Sequence, residues 1–119
     1  MANPNLKNLA SVYGLTSGMS SIPTTASGIV TCGSNEVLKI NNLYISNIDG
    51  TNTATITADL YNGSSVLGYY IKELSIGAGG SVNIITNETS VYLNENQSLR
   101  LTASASGDLS AIISYERIA

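Results

Sequence analysis

The chain has 119 residues, of which 43% are hydrophobic and 11% are charged, and its net charge is −3. This length corresponds to one ordinary domain, and the frequent apolar runs exclude an intrinsically disordered chain because they can offset chain entropy. The five basic residues are scattered, whereas a nucleic-acid binder needs several phosphate-neutralising charges on one face. No stretch approaches the ~20 apolar residues of a membrane helix. We therefore expect neither a nucleic-acid nor a membrane partner.

The residue types of catalytic and metal sites are scarce. The sequence has no histidine and a single cysteine, Cys32, so the usual general base, the Ser–His and Cys–His pairs and a thiolate metal site are missing. A glycosidase would need two paired carboxylates, and the lack of Trp and Phe leaves little to build a sugar cleft. We predict a protein that is not an enzyme and has no cofactor, no metal and no small-molecule substrate.

The first 27 residues are weakly patterned and rich in Asn, Ser, Gly and Pro. They lack the apolar core of a secretory signal, so secretion by that route is not expected. We predict that residues 1–27 form an extended N-terminal arm, and that its apolar side chains contact neighbouring subunits instead of belonging to a free tail. These predicted interface residues are Leu6, Leu9, Val12, Tyr13, Leu15 and Ile22.

From residue 28 onward, turn signals such as Asn62-Gly63 separate runs of residues that alternate between apolar and polar, as half-buried strands do. Residues 54–60 show the alternation clearly, and residues 66–76 are predicted as one long or two short strands. Asn41-Asn42 interrupts an apolar run and indicates a β-bulge. Cys32 ends the apolar run that begins at Gly28 and is predicted to be a small buried side chain.

Seven or eight such strands at this spacing predict an all-β fold, a single antiparallel β-sandwich of jelly-roll or immunoglobulin-like type over residues 28–119. Tyr69 and Tyr70 are neighbours in a strand and must point to opposite faces, so at least one is predicted at an interface. Tyr44, Tyr61 and Tyr115 are predicted in the core. The segment Asp49–Asn52 offers oxygen ligands but lacks the spacing of an EF-hand loop, so a turn is predicted there and not a calcium site.

Two segments resemble a known family. Residues 39–52, continuing to Asp59-Leu60-Tyr61, and residues 91–104, followed by Gly107-Asp108-Leu109 and Ser114-Tyr115-Glu116, are similar to small virion structural proteins of tailed phages that infect cyanobacteria and other aquatic bacteria. The resemblance covers about residues 28–118. It implies a β-sandwich with a structural role in the virion, and it supplies no functional residues to carry over.

The resemblance and the composition together lead to the hypothesis of a capsid decoration (cement) protein, assembled in the host cytoplasm. It would be a homo-oligomer that binds the major capsid protein or other virion proteins. One alternative is a structural protein of the neck, tail or fibre base. The other, from a different class, is a β-sandwich module that binds glycans or a receptor.

Overall fold

The computed structural model describes residues 12–119, which form nine β-strands. Their bounds are Val12–Met19 (β1), Ser27–Thr31 (β2), Val37–Asn47 (β3), Ala54–Tyr61 (β4), Val66–Ile76 (β5), Ser81–Ile85 (β6), Val91–Leu93 (β7), Ser98–Ala103 (β8) and Leu109–Ile118 (β9). The predicted all-β sandwich is confirmed. Eight strands, β2 to β9, match the seven or eight predicted from residue 28 onward, and the ninth, β1, lies in the predicted arm. Helical structure in this part of the chain is limited to a 3-10 turn at Asn87–Thr89, and it offers no helix of the length and apolarity that a membrane crossing requires.

The strands are arranged in two antiparallel sheets. Sheet A has the order β1-β9-β3-β6, with β7 also pairing with β3, and sheet B has the order β2-β8-β4-β5. The pairs β4–β5, β3–β6, β2–β8 and β1–β9 are nested around the turn at Asn62-Gly63, and successive pairs alternate between the two sheets. The chain is thus a long hairpin that has been rolled up, which is the jelly-roll arrangement.

The core lies between the sheets, where every second side chain of each strand points inward. In β4 the inward residues are Ala54, Ile56 and Ala58, as the alternation predicts, and in β8 they are Leu99 and Leu101. Burying a side chain of the size of Leu or Ile stabilises the fold by roughly 1.5–3 kcal/mol. The fully buried large side chains come from both sheets and from the loop after β1, and they are Ile22, Ile40, Leu43, Ile45, Ile56, Leu93, Leu99, Leu101, Leu109 and Ile113.

Bulges set the direction of side chains in two long strands. The register of β3 against β9 shifts between Ile40 and Asn42, which confirms the bulge predicted at Asn41-Asn42. The extra residue lets Ile40 and Leu43 both point into the core. In β5 the register against β4 shifts three times, and Glu73 has a positive φ of 53° with its N–H donating to Thr57 Oγ1 at 3.0 Å.

The structure corrects the predicted N-terminal arm for residues 12–27. β1 pairs with β9 along its whole length, from Val12 opposite Ile118 to Met19 opposite Ala111. Ile22, which follows β1, is completely buried, and its N–H donates to the Leu109 carbonyl oxygen at 2.8 Å. The sandwich therefore already includes β1 and does not begin at residue 28 as predicted. Residues 1–11 of the predicted arm lie outside the described residues.

Candidate interaction surfaces

The solvent-facing side of sheet A, here called the A face, carries large exposed side chains at its centre. Tyr44 of β3 lies directly opposite Ile112 of β9, and 45% and 55% of these residues are exposed. Gly18 of β1 flanks Ile112 on its other side and has no side chain to cover it. Tyr92 of β7 adds a third exposed large residue on the same face, opposite Lys39. The A face therefore presents an apolar and aromatic centre to solvent.

Much of the rest of the A face consists of hydroxyl and amide groups. Serines form one cross-strand row at Ser110, Ser46 and Ser81, and another row consists of Thr16, Ser114 and Asn42. These rows follow from the strand alternation, because about half of the outward positions of β3, β6 and β9 are Ser or Asn. Such a face can pack against another protein surface through hydrogen bonds without burying isolated charges.

The charged residues of the A face neutralise each other. Lys39 Nζ lies 4.0 Å from Glu116 Oε2, and Asn41 Nδ2 donates to the same oxygen at 3.0 Å. The prediction that Tyr44 belongs to the core is wrong, because Leu43 and Ile45 take the inward positions on either side of it. The alternation of Leu43, Tyr44 and Ile45 is the sequence signal that would have predicted an outward Tyr44.

The solvent-facing side of sheet B contains a buried ion pair. Arg100 of β8 donates from Nε to Asp59 Oδ1 at 2.9 Å and from Nη2 to Oδ2 at 3.2 Å, a bidentate arrangement. The guanidinium also stacks on the ring of Tyr61, with Cζ 3.8 Å from the ring centroid. Hydrogen bonding to Asp59 raises the pKa of Arg100. Asp59 is a strand residue with an outward direction that is nevertheless buried.

Tyr69 and Tyr70 differ as the alternation predicts. Tyr69 is exposed, and the Lys72 ammonium lies 4.8 Å from its ring centroid. Tyr70 is half-buried and packs against the core, and burial raises the pKa of its hydroxyl, with a smaller effect from the charge of Asp59. Of the predicted interface pair, Tyr69 is therefore the one available to a partner.

The other predicted interface residues fall into four groups. Val12 and Tyr13 are exposed on β1, and the Arg117 guanidinium lies 5.0 Å from the Tyr13 ring centroid. Leu15 is half-buried on the same strand. Ile22 is a core residue and cannot contact a partner, which corrects its assignment to an interface. Leu6 and Leu9 lie outside the described residues.

A cavity of about 280 Å³ opens between the two sheets beside β1 and β2. Polar groups contribute much of its surface, and Glu36 and Arg117 line it, with Arg117 Nε 3.7 Å from Glu36 Oε2. The apolar and aromatic wall residues are Leu15, Ile29, Val30, Leu38 and Tyr115. Tyr115 was predicted in the core, and it is half-buried and packs against the edge of the core.

The Asp49 turn holds its own polar groups. Asp49 Oδ1 accepts the Thr51 N–H at 2.8 Å, and Oδ2 accepts Asn52 Nδ2 at 3.1 Å. The hydrogen bond from the Thr51 N–H lowers the pKa of Asp49, whereas desolvation and the Asp49 charge raise the pKa of Asp108. Across residues 12–119, no three or more carboxylate, cysteine or histidine side chains gather in a group that could hold a metal ion. The Asp49 carboxylate oxygens, which the sequence offers as possible calcium ligands, thus accept hydrogen bonds that close the turn.

Cys32 is buried next to the start of β3, as predicted. Its Sγ lies 3.1 Å from the Glu36 carbonyl oxygen and donates to it. Burial, followed by the negative charge of Glu36, raises the pKa of the Cys32 thiol from 9.0 to about 11. A thiol in this state is a poor nucleophile at neutral pH.

The sequence matches no protein-family model, and no curated protein matches it.

Proposed function

We propose that this protein is a structural subunit of a tailed-phage virion, acting as a capsid decoration protein that stabilises the shell through subunit contacts. The observation that carries the proposal is the A face, with Tyr44, Tyr92 and Ile112 exposed among hydroxyl and amide groups. A role of this kind needs a rigid domain with a surface that another protein can cover.

The chemistry of the A face suits burial against protein. Tyrosine is enriched at interfaces because its ring supplies apolar area while its hydroxyl still finds a partner, whereas Lys and Glu are depleted there. Lys39 and Glu116 already lie beside each other, so covering the A face leaves no charge without a counter-charge. A few central residues commonly dominate the binding energy of such surfaces, and Tyr44 and Ile112 occupy that central position.

The virion setting is supported by the resemblance. The two similar segments, residues 39–52 and 91–104, include Tyr44 and Tyr92 of the A face. Jelly rolls occur in viral capsid proteins and also in lectins, and a fold does not by itself select a function. The resemblance and the A face together favour a subunit that is covered by other virion proteins.

A charge placed on the A face tests the proposal. We expect Ile112→Glu to abolish association of the purified protein with particles of the encoding phage, because the partner would have to bury an unpaired carboxylate. The matched control is Leu67→Glu on β5, since Leu67 is 53% exposed and Ile112 is 55% exposed. Circular dichroism would check that both variants fold. Equal particle binding by the two variants would refute the role of the A face.

The position in the particle follows from copy number. Quantitative mass spectrometry of purified virions should find hundreds of copies if the subunit decorates the shell. A few tens of copies or fewer would move the subunit to the neck, tail or fibre base. Absence from the particle would refute the virion role itself.

A second candidate function, glycan or receptor binding, is favoured by sheet B. Tyr69 is exposed beside Lys72, and Tyr61 lies near them under the Arg100 guanidinium, so aromatic and cationic groups share one side of the domain. A sugar ring could stack on Tyr69. Binding on a glycan array that Tyr69→Ala removes would establish this function, whereas a cement protein should give no signal there.

A further inference from the structure

The two sheets end in edges that differ in their ability to accept another strand. In sheet B, β5 is shifted out of register three times and β2 once. The far edge of sheet A is divided between β6 and β7, which have five and three residues and are separated by a 3-10 turn. Bulges and short strands are devices that prevent edge-to-edge pairing.

β1 has none of these devices. Its eight residues pair with β9 in unbroken register, and among the described strands only β9 pairs with it. The sequence of β1, VYGLTSGM, contains no charged residue and no proline, the residue types that normally protect a long edge. Val12 and Tyr13 are exposed at its start. The outer edge of β1 is therefore suited to pair with another strand.

A second copy of β1 is the strand that fits this edge. An antiparallel pair around a two-fold axis brings a strand opposite itself, which like charges would oppose. Because β1 is uncharged, no such repulsion arises. We propose that two copies of this chain associate through their β1 strands in antiparallel pairing, which joins their A sheets into one continuous sheet.

The faces of β1 determine the register of this pairing. Residues opposite each other in an antiparallel pair must lie on the same side of the sheet. Centring the axis on Thr16 places Thr16 opposite its own copy, an arrangement in which the two hydroxyls can hydrogen-bond. It also places Tyr13 opposite Met19 of the second copy, where sulfur and ring can make contact. Gly14 and Gly18 then lie opposite each other and leave room around the threonine pair.

If the protein is the virion subunit proposed above, the β1 pairing would be one of its contacts during assembly, and this use of the pairing rests on the proposed function. It would place two A faces side by side in one sheet of ten or more strands, so that a single dimer presents Tyr44 and Ile112 twice. Linking two binding surfaces in this way raises the effective affinity for a repeated partner such as a capsid lattice.

Cross-linking tests both the partner and the register. In the full chain, Thr16→Cys should form an intermolecular disulfide under mild oxidation, because opposite residues of an antiparallel pair lie within the Cα spacing that a disulfide requires. Ser75→Cys, an exposed position on the bulged β5, is the matched control. Native Cys32 is buried and should not interfere. We expect the Thr16→Cys dimer to form at least tenfold faster than the control.

Sedimentation of the unmodified chain provides the second measurement. We expect a dimer whose dissociation constant rises at least tenfold in Thr16→Lys, which sets two ammonium groups opposite each other, and stays unchanged in Ser75→Lys. A monomer at 100 µM, or equal cross-linking at the two positions, would overturn the inference.

The two proposals can fail separately. A monomer that still binds particles through the A face would leave the proposed function intact. A β1 dimer that binds no particle would leave the pairing intact and remove the virion role.

Discussion

The buried Asp59–Arg100 pair allows a quantitative test of how sheet B is held together. In Arg100→Ala the Asp59 carboxylate loses both of its guanidinium hydrogen bonds, at 2.9 and 3.2 Å, while its side chain is only 4% exposed to water. Removing one partner of a buried ion pair destabilises a protein by about 3–5 kcal/mol because the other charge remains buried and unpaired. The loss cannot greatly exceed about 4 kcal/mol, which is what protonating an ordinary aspartate costs at pH 7.

The reverse substitution should cost less. Asp59→Ala leaves Arg100 with a side chain that is 19% exposed and still stacked on Tyr61, so water can replace part of the lost interaction. We expect a loss of about 1–3 kcal/mol. The double variant Asp59→Ala/Arg100→Ala should be more stable than Arg100→Ala alone, since it leaves no buried carboxylate without a partner. As a control, Lys39→Ala, which breaks a more exposed pair at 4.0 Å, should cost less than about 1 kcal/mol.

Urea unfolding of these variants at pH 7 and pH 4 is the assay. The loss in Arg100→Ala should shrink at pH 4, because protonation removes the buried charge from the folded variant. A loss below about 1 kcal/mol at pH 7, or the same loss at both pH values, would mean that water reaches Asp59 and that the pair is not a buried one.

Three further predictions concern single residues. Cys32 should react with a thiol reagent at pH 8 roughly 100-fold more slowly in the folded chain than in urea. Its pKa of about 11, against the ordinary 9.0, leaves a smaller fraction of reactive thiolate. Equal rates would contradict its burial. Desolvation and the charge of Asp49 raise the pKa of Asp108, so its ionisation disfavours the fold as the pH rises. Asp108→Asn should therefore raise the urea midpoint at pH 7 but not below pH 4, and an unchanged midpoint at pH 7 would contradict this destabilising ionisation. Ile22→Ala should cost about 2–5 kcal/mol of unfolding free energy, against less than about 0.5 kcal/mol for the exposed Val12→Ala; equal small losses would place Ile22 outside the core.

The alternating strands were predictable from the sequence because one side of each faces the core and the other faces water. Ala54, Ile56 and Ala58 follow this rule, and the bulge at Asn41-Asn42 interrupts it where the polar pair predicts. The order of strands in the sheets was not predictable to the same extent, since local alternation does not say which strands become neighbours.

β1 was missed for a physical reason. Its outward residues are Gly14, Thr16 and Gly18, which differ little in hydrophobicity from the half-buried residues between them, so the apolar–polar alternation of a strand is weak. Asp59 departs from the alternation rule in another way: it points outward, yet it is buried by Arg100, which bonds to it and stacks on Tyr61. Surfaces formed by several strands, such as the A face, depend on pairing register and so become visible only in three dimensions.

The nested strand order also has a consequence for how the chain folds. Of the nested pairs, only β4 and β5 are joined by a short turn, whereas β1 and β9 are separated by almost the whole described chain. Closing long loops before their contacts form is entropically unfavourable, so folds of this kind form slowly and from the local hairpin outward. We expect pairing to start at Asn62-Gly63 and to end with β1 on β9. The edge offered for assembly would then be completed last, so that incompletely folded chains would not present it.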